Sequence, residues 1–430
     1  MSDLKTVLWV TSFFPPRVNV ATNRNIKFLK YLPQFGWKAV VVCPREDHQE
    51  VEAGNHLLNQ LEPSIVIASM PKDIFLCLED CRCKNRFARY LAYIMNNIIP
   101  PDGHIFWVLS AFKAIDREIK QHRPDVVYIT CSPFSLNLLG AWLKYKYEIP
   151  WVSDFRDLWT LNPTPKRFFT SYDRFVSNRL EKFYLQYCDA LIVNTKNSQN
   201  KMVKKYDFLT KKICIIPNGY DPEDVPLENR KNKVPFTFFC SGSIYQDTDY
   251  TPLPMIKLLA RLVDLGHLNK SWELHYAGSD GDAFISLIQR EQINVKYQSH
   301  GYLDHKSLYQ LITCMEYVIL CMPYKSDTTS WIPARMYDYI ANNSRLICLV
   351  SRGSEVSHVL EHYENRVIVY YDEPENVQIE KIIQFFSGKR ETLQDVTGFN
   401  GSFSRKDLTR RLTDIFDNMV SESLGDKTGV

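Results

Sequence analysis

Short β-rich apolar runs alternate with helical-period segments along this chain from its first residues onward. V-L-W-V-T at Val7 leads into the loop S-F-F-P-P-R-V-N-V, then N-R-N-I-K-F-L-K-Y-L with apolar residues at helical spacing, then Gly36 and K-A-V-V-V-C. Strand, loop, helix, glycine stop and strand make a βαβ unit of a parallel sheet. In open α/β sheets ligands collect beyond the carboxyl ends of the strands, so the loop from Ser12 to Asn23 is placed to meet a substrate. No G-x-G-x-x-G follows the first strand, which counts against a dinucleotide cofactor.

At 430 residues the chain is too long for one core, and two domains of roughly 200 residues each are expected. Hydrophobic residues at 45% and charged residues at 23% are globular values and exclude a disordered chain. There is no apolar run long enough to span a bilayer, and M-S-D-L-K-T enters the first strand without a signal peptide, so a cytoplasmic protein is expected. The eleven cysteines fit that compartment as reduced thiols. Cys43, Cys131, Cys240 and Cys348 sit in or beside apolar runs, where cysteine acts as a small core residue. Cys77, Cys81 and Cys83 form C-x3-C-x-C with no matched second half, a poor zinc pattern. The net charge of +3 conceals an asymmetry: residues 1–215 hold 30 Lys and Arg against 20 Asp and Glu, and the remainder 22 against 29. The basic half suits an anionic partner such as a membrane surface, a lipid diphosphate or an acidic glycan; solvated charge without consequence is the plain alternative.

Residues 50–72 carry a further helix and strand, and residues 73–110 read as less regular, with Arg82, Lys84, Arg86 and Arg89 interleaved with Phe87, Tyr90, Tyr93 and Ile94. A basic helix with aromatics suits a membrane interface or an acceptor, against the alternative of a packed helix with solvated Lys and Arg. The strand P-D-V-V-Y-I-T-C-S-P ends in a small polar loop, and I-P-W-V-S-D-F-R-D-L-W ends in Asp154, Arg156 and Asp157. Charges there either form a structural ion-pair knot or face a cleft; the carboxyl end of a strand favours the cleft. After a basic helical region at 172–188 and the strand D-A-L-I-V-N-T come I-P-N-G-Y-D and the linker-like E-N-R-K-N-K, which mark a domain boundary. F-T-F-F-C-S-G-S-I-Y, S-W-E-L-H-Y-A-G-S and Y-V-I-L-C-M-P repeat the strand theme, and residues 404–419 read as one amphipathic helix with a loose tail of ten residues.

The stretch T-S-W-I-P-A-R-M-Y-D-Y-I-A-N-N-S from Thr329 reads as loop, short helix and, with R-L-I-C-L-V, buried strand. Pro333 opens the helix, Thr329 or Ser330 caps it, and the Asn342, Asn343, Ser344 cluster ends it. Arg335, Asp338 and Asn342 share one face, with Met336, Tyr337 and Ile340 turned inward. A loop feeding a helix N-terminus favours an anion, and a carboxylate further along suits a sugar hydroxyl; an ordinary amphipathic helix is the alternative.

With T-S-F-F-P-P at Thr11, P-P-D-G-H-I-F-W at Pro100, R-P-D-V-V-Y at Arg123, I-P-W-V-S-D-F-R-D-L-W at Ile149, I-P-N-G-Y-D at Ile216 and P-A-R-M-Y-D-Y-I-A at Pro333, the chain resembles glycosyltransferases of the family 4 type over nearly its whole length. The resemblance implies the α/β GT-B architecture, two Rossmann-like domains facing each other across a cleft. The domains are then 1–218, binding the acceptor, 219–403, binding the nucleotide sugar, and 404–430, a helix packing back toward the first. It implies a retaining transferase with no metal and no cofactor beyond its co-substrate, a UDP-sugar. The acceptor is a glycan or lipid-linked oligosaccharide of bacterial surface polysaccharide synthesis, met by a cytoplasmic protein with peripheral contact to the inner membrane and no nucleic-acid partner.

Carried over by position, Asp338 falls where the family keeps a glutamate for the ribose, and Ser330 where another glutamate contacts the donor sugar. Trp331 and Ile332 offer backbone near the diphosphate, Tyr302 and Leu303 fall where the base is read, and Gly242 and Ser243 lie beside the phosphates. Arg156 replaces a histidine near the donor sugar, and Arg156 and Arg335 are expected to stabilise the leaving diphosphate, with Asp154 or Asp157 as a weaker candidate base. Arg17, Asn19, Trp107 and Asp154 are the acceptor candidates. The chain departs from the family in its two shortened carboxylate positions. It also lacks the usual Arg and Lys in S-G-S-I-Y-Q-D-T-D, which implies either that Arg156, Arg335 or Lys325 substitutes or that the donor is atypical, and Val18, Asn19 and Val20 replace the glycine pair of the first loop. Three rivals stay open: a metal-binding D-x-D at Asp247 and Asp249, a catalytically weakened nucleotide-sugar-binding protein, and an epimerase or phosphorylase on the same two-domain plan.

Overall fold

The computed structural model describes residues 4–45, 56–81, 85–97, 99–162, 170–226, 233–244, 250–324, 329–388, 399 and 401–428. Two compact units make up the chain: Met1–Pro217 together with Arg405–Val430, and Asn218–Ser404. Arg82, Lys84, Cys83, Lys325, Asp247 and Asp249 lie outside the described residues.

The first unit is a sheet of β1 (Lys5–Val10), β2 (Trp37–Val42), β3 (Ile65–Ile67), β4 (Val126–Cys131), β5 (Trp151–Phe155), β6 (Ala190–Val193) and β7 (Ile213–Ile215). All pairings are parallel and the order is β3-β2-β1-β4-β5-β6-β7, so the winding reverses between β1 and β4. Side chains alternate across the sheet: Leu8, Val10, Val127 and Ile129 go to one face and Val7, Trp9, Val126 and Tyr128 to the other. Helices Ile105–His122, Asn137–Tyr147, Ser171–Tyr187 and Lys196–Lys205 cover the first face. Helices Val20–Tyr31 and Arg405–Thr428 cover the second, where Phe416 meets the Trp37 ring edge-on at 5.2 Å.

The second unit repeats the plan with β8 (Val234–Ser241), β9 (Glu273–Ala277), β10 (Lys296–Ser299), β11 (Met315–Cys321), β12 (Arg345–Val350) and β13 (Arg366–Tyr370). They are again parallel, in the order β10-β9-β8-β11-β12-β13, with the reversal between β8 and β11. Helices Leu253–Asp264, Gly281–Arg290 and Glu375–Ser387 lie on one face and His305–Cys314, Ala334–Ala341 and Glu355–Leu360 on the other.

Local order exceeds the sequence expectation in two places. Residues 73–110 hold the helices Ile74–Cys81 and Arg86–Asn97 and the start of Ile105–His122. Ala88, Ala92 and Met95, at i, i+4 and i+7, are buried in a stripe too narrow and small to stand out by periodicity, and Ala92 and Met95 pack against Phe75. The final helix runs to Thr428 rather than ending near 419.

In the second unit the rings of His275 and His300 stack at 5.3 Å, with Nδ1 of His275 3.0 Å from Nε2 of His300. Burial holds both below the ordinary value of 6.5, against the pull of Glu273 on His275. A histidine whose folded pKa is depressed contributes stability that is complete above 6.5 and is lost as pH falls from there through the folded value. Thermal melts across that window are therefore expected to show a falling melting temperature on acidification, and His275→Gln to flatten the slope. An equal slope in the variant would remove the pair as the cause.

Candidate functional site

The reversal points of doubly wound sheets leave a crevice at the strands' carboxyl ends. In the second unit the chain turns there at Gly242, whose φ of +95° suits glycine, and a Cβ at that position would stand 2.5 Å from Nη1 of Arg335. Arg335, in the first turn of Ala334–Ala341, donates from Nη1 to the Ser241 carbonyl and lays its guanidinium over the Tyr250 ring at 5.2 Å. Its buried Nε has no hydrogen-bond partner among the described residues, and a buried N–H left over in this way favours an incoming acceptor. Ser241, Ser243, Tyr250, Tyr276, Cys321 and Arg335 line a small pocket at this point.

Neighbouring loops are laced to it. The Gly242 N–H donates to Ala277, the Gly278 N–H to Gly301, and the Tyr276 hydroxyl to the Gly242 carbonyl at 2.6 Å. Tyr302 follows Gly301 and is exposed, while Leu303 is half-buried against the core with Ile332.

The helix Ala334–Ala341 is capped by Pro333 with no side-chain hydrogen bond, so neither Thr329 nor Ser330 is its cap. Extended backbone at Pro333 sets the helix start three residues later than the serine would require. Ser330 is buried, Trp331 exposed and Ile332 half-buried. Met336, Tyr337 and Ile340 are buried, as the helical spacing indicates. Asp338 is buried beside them and accepts from the Tyr309 hydroxyl at 2.9 Å, linking this helix to His305–Cys314. Burial, and then the Asp338 charge, push the Tyr309 phenol well above its ordinary range, so it stays a donor.

The first unit's reversal point gathers Arg156. Its Nε donates to the Cys131 carbonyl at 3.0 Å and its Nη2 to that of Ser132 at 3.1 Å, and the guanidinium lies 5.1 Å from the Phe13 ring. One arginine at the end of β5 thus spans the loops that leave β1 and β4. Burial lowers its pKa, with Asp157 and Asp154 opposing that shift. Asp157 itself is exposed. Asp102, from the P-P-D-G-H segment, holds the loop after β4 by accepting from the Phe134 N–H at 2.8 Å and the Ser135 hydroxyl at 2.6 Å. Arg17 is half-buried in the loop after β1, and Asn19 caps helix Val20–Tyr31 by accepting from the Thr22 N–H at 2.9 Å. Val18 and Val20 are exposed beside it.

Two expected acceptor contacts are corrected. Asp154 does not face open space: it is fully buried, 3.2 Å from Nε of Arg24 and 2.5 Å from the Tyr128 hydroxyl. Arg24 spends its other donors on the Ile216 and Pro217 carbonyls, so the charges close on one another as an ion-pair knot. That geometry also removes Asp154 as a candidate base. Trp107 is a core residue whose indole N–H donates to the Pro71 carbonyl at 2.9 Å, because the apolar face of Ile105–His122 turns toward the sheet. Sequence reasoning missed Arg24, Tyr128, Asp102, Tyr250, Tyr276 and Tyr309 as site residues, although Arg24, Asp102, Tyr128 and Tyr276 lay in segments already quoted.

Two Rossmann-like units, of seven and six parallel strands, define the GT-B class of glycosyltransferase folds. Residues 22–224 match the sequence model of Glycosyltransferase Family 4, and the chain is similar to glycosyltransferases of that type. No curated protein matches it. Among solved structures, a glycosyltransferase from Rickettsia africae ESF-5 is 14% identical with a TM-score of 0.60, covering 97% of this chain and 99% of that one. The lipopolysaccharide outer core galactosyltransferase WaaB in its apo form is 12% identical, TM-score 0.56, covering 96% and 99%. S. aureus TarM, solved in complex with fondaparinux, alpha-GlcNAc-glycerol and UDP, is 9% identical, TM-score 0.55, covering 96% and 100%. The family match and the fold together support a glycosyltransferase. No helix among the described residues is long and apolar enough to cross a membrane.

Proposed function

We propose that this chain is a retaining glycosyltransferase that takes a sugar from a UDP-sugar without a metal ion. It passes the sugar to a glycan or lipid-linked oligosaccharide in bacterial surface polysaccharide synthesis, working at the inner face of the membrane. The observation that carries this reading is the corner at the second unit's reversal point. There Gly242, Ser243 and the helix start at Ala334 meet an arginine whose Nε lacks a partner among the described residues. Such a corner offers N–H groups, a dipole and a fixed cation to a diphosphate. UDP as the nucleotide draws support from TarM, which was solved with it.

In this reading Arg335 stabilises the departing diphosphate. Asp338, held by Tyr309, takes the ribose hydroxyls, with Tyr302 and Leu303 beside the base and Ser330, Trp331 and Ile332 along the sugar and phosphates. As the bond from the anomeric carbon to the phosphate oxygen breaks, the acceptor oxygen bonds to that carbon on the same face, and its proton passes to the leaving phosphate. No protein nucleophile is needed; catalysis is positioning and charge stabilisation. A thermal-shift screen with UDP, GDP, TDP, ADP and CMP, each with and without EDTA, tests it. A specific nucleotide at about 100 times its Kd should stabilise by roughly 2.7 kcal/mol. UDP alone is expected to act, to ignore EDTA and to fail on Asp338→Ala. A shift that needs metal, or none at all, overturns the donor site drawn here.

A further inference from the structure

The two helical layers of the first unit differ in what they present to solvent. Helices Val20–Tyr31 and Arg405–Thr428 carry no exposed aromatic side chain among the described residues. The other layer carries many. At its edge Phe75 packs on His104 at 4.8 Å, so helices Ile74–Cys81 and Arg86–Asn97 extend it past the start of Ile105–His122.

Along Ser171–Tyr187 the residues Tyr172, Phe175, Arg179, Lys182 and Phe183 follow i, i+3, i+7, i+10 and i+11, a single outward stripe about 16 Å long. Tyr172 is 65% and Phe175 58% exposed. The Arg179 guanidinium lies 5.2 Å from the Phe175 ring. Arg86–Asn97 repeats the pattern, with Phe87 70% and Tyr90 63% exposed beside exposed Arg86 and Arg89. Together with Asn137–Tyr147 these helices hold seven Lys and Arg against two acids, Asp173 and Glu181, and both acids are buried. Glu181 is held inside by Lys205 and Tyr206, and Asp173 by Ser177. No acidic side chain is exposed on the three helices.

We infer that the outer face of this layer, centred on Ser171–Tyr187 and Arg86–Asn97, docks on an anionic phospholipid surface. Aromatic side chains with cations between them are what a headgroup boundary selects: rings enter the upper acyl region, tyrosine hydroxyls stay wet, and Lys and Arg meet the phosphates. A protein partner would instead select a continuous apolar centre depleted of charge, especially of lysine. The inference requires nothing of the donor site, so it and the transferase reading fail separately.

Flotation of the full-length protein with phosphatidylcholine vesicles, with and without phosphatidylglycerol, tests it. The wild type is expected to float only with the anionic vesicles. Arg179→Glu with Lys182→Glu should lower the bound fraction on the order of tenfold or more, since each cation near such a surface is worth about fivefold. Arg86→Glu with Arg89→Glu should act likewise and serves if the first pair lowers the melting temperature. Tyr172→Ser with Phe175→Ser should also weaken binding, while Lys406→Glu with Arg410→Glu, on the opposite layer, should float as the wild type does. The inference is overturned by absence of flotation with anionic vesicles, or by an equal loss in the opposite-layer variant. Undiminished binding of the aromatic variant overturns it as well, since the rings then take no part and only charge adsorption remains.

Discussion

Asp154→Ala is expected to destabilise the first unit by about 3–5 kcal/mol, the usual cost of leaving a buried charge without its partner. The variant strands Arg24, which is 1% exposed, and the Tyr128 hydroxyl in the same step. For a unit of this size the loss corresponds to a melting temperature lower by roughly 10 °C, readable by calorimetry. Arg24→Met combined with Asp154→Leu should cost less than the two single losses added together, because neither charge is then left alone. Some loss remains, since Arg24 also donates to the Ile216 and Pro217 carbonyls. If the losses simply add, the pair is not coupled and the knot is not what holds the end of β5.

Arg335→Ala is expected to lower kcat by about 100-fold or more at saturating donor, the range found when a preorganised charge-stabilising donor is removed. A guanidinium that only packed on Tyr250 and the Ser241 carbonyl would cost stability and leave kcat alone. Arg335→Lys separates the two: it keeps the charge, loses the fork, and should recover part of the rate. Arg156→Ala is the companion measurement in the first unit. Unchanged turnover there at saturating donor would sink the part assigned to Arg156, whose donors already hold the Cys131 and Ser132 carbonyls.

Much of the architecture was legible from local pattern. Strand runs such as V-L-W-V and R-L-I-C-L-V are buried on both faces, and both sheets are parallel, because alternating strand and helix leaves no other short connection. Cys43, Cys131, Cys240 and Cys348 are buried as small core residues. The helix after Pro333 turns Met336, Tyr337 and Ile340 inward, as its spacing requires.

What the residues of the site do was a different matter. The string D-F-R-D placed three charges at a strand end but could not say which neighbour each would meet. Asp154 took Arg24, 130 positions away, while Arg156 took the carbonyls of the adjacent crossover. Trp107 and Asp102 sit in one segment, yet the helix's apolar face buried the first and the loop after β4 engaged the second. Arg335 reaches Ser241 across 94 positions, and Asp338 finds Tyr309 on another helix. Spacing in the sequence determines period, and so which elements form and which face turns inward. Only the winding of the two sheets decides which strand ends become neighbours, and a buried polar group must bond to whatever that winding brings within 3 Å or so.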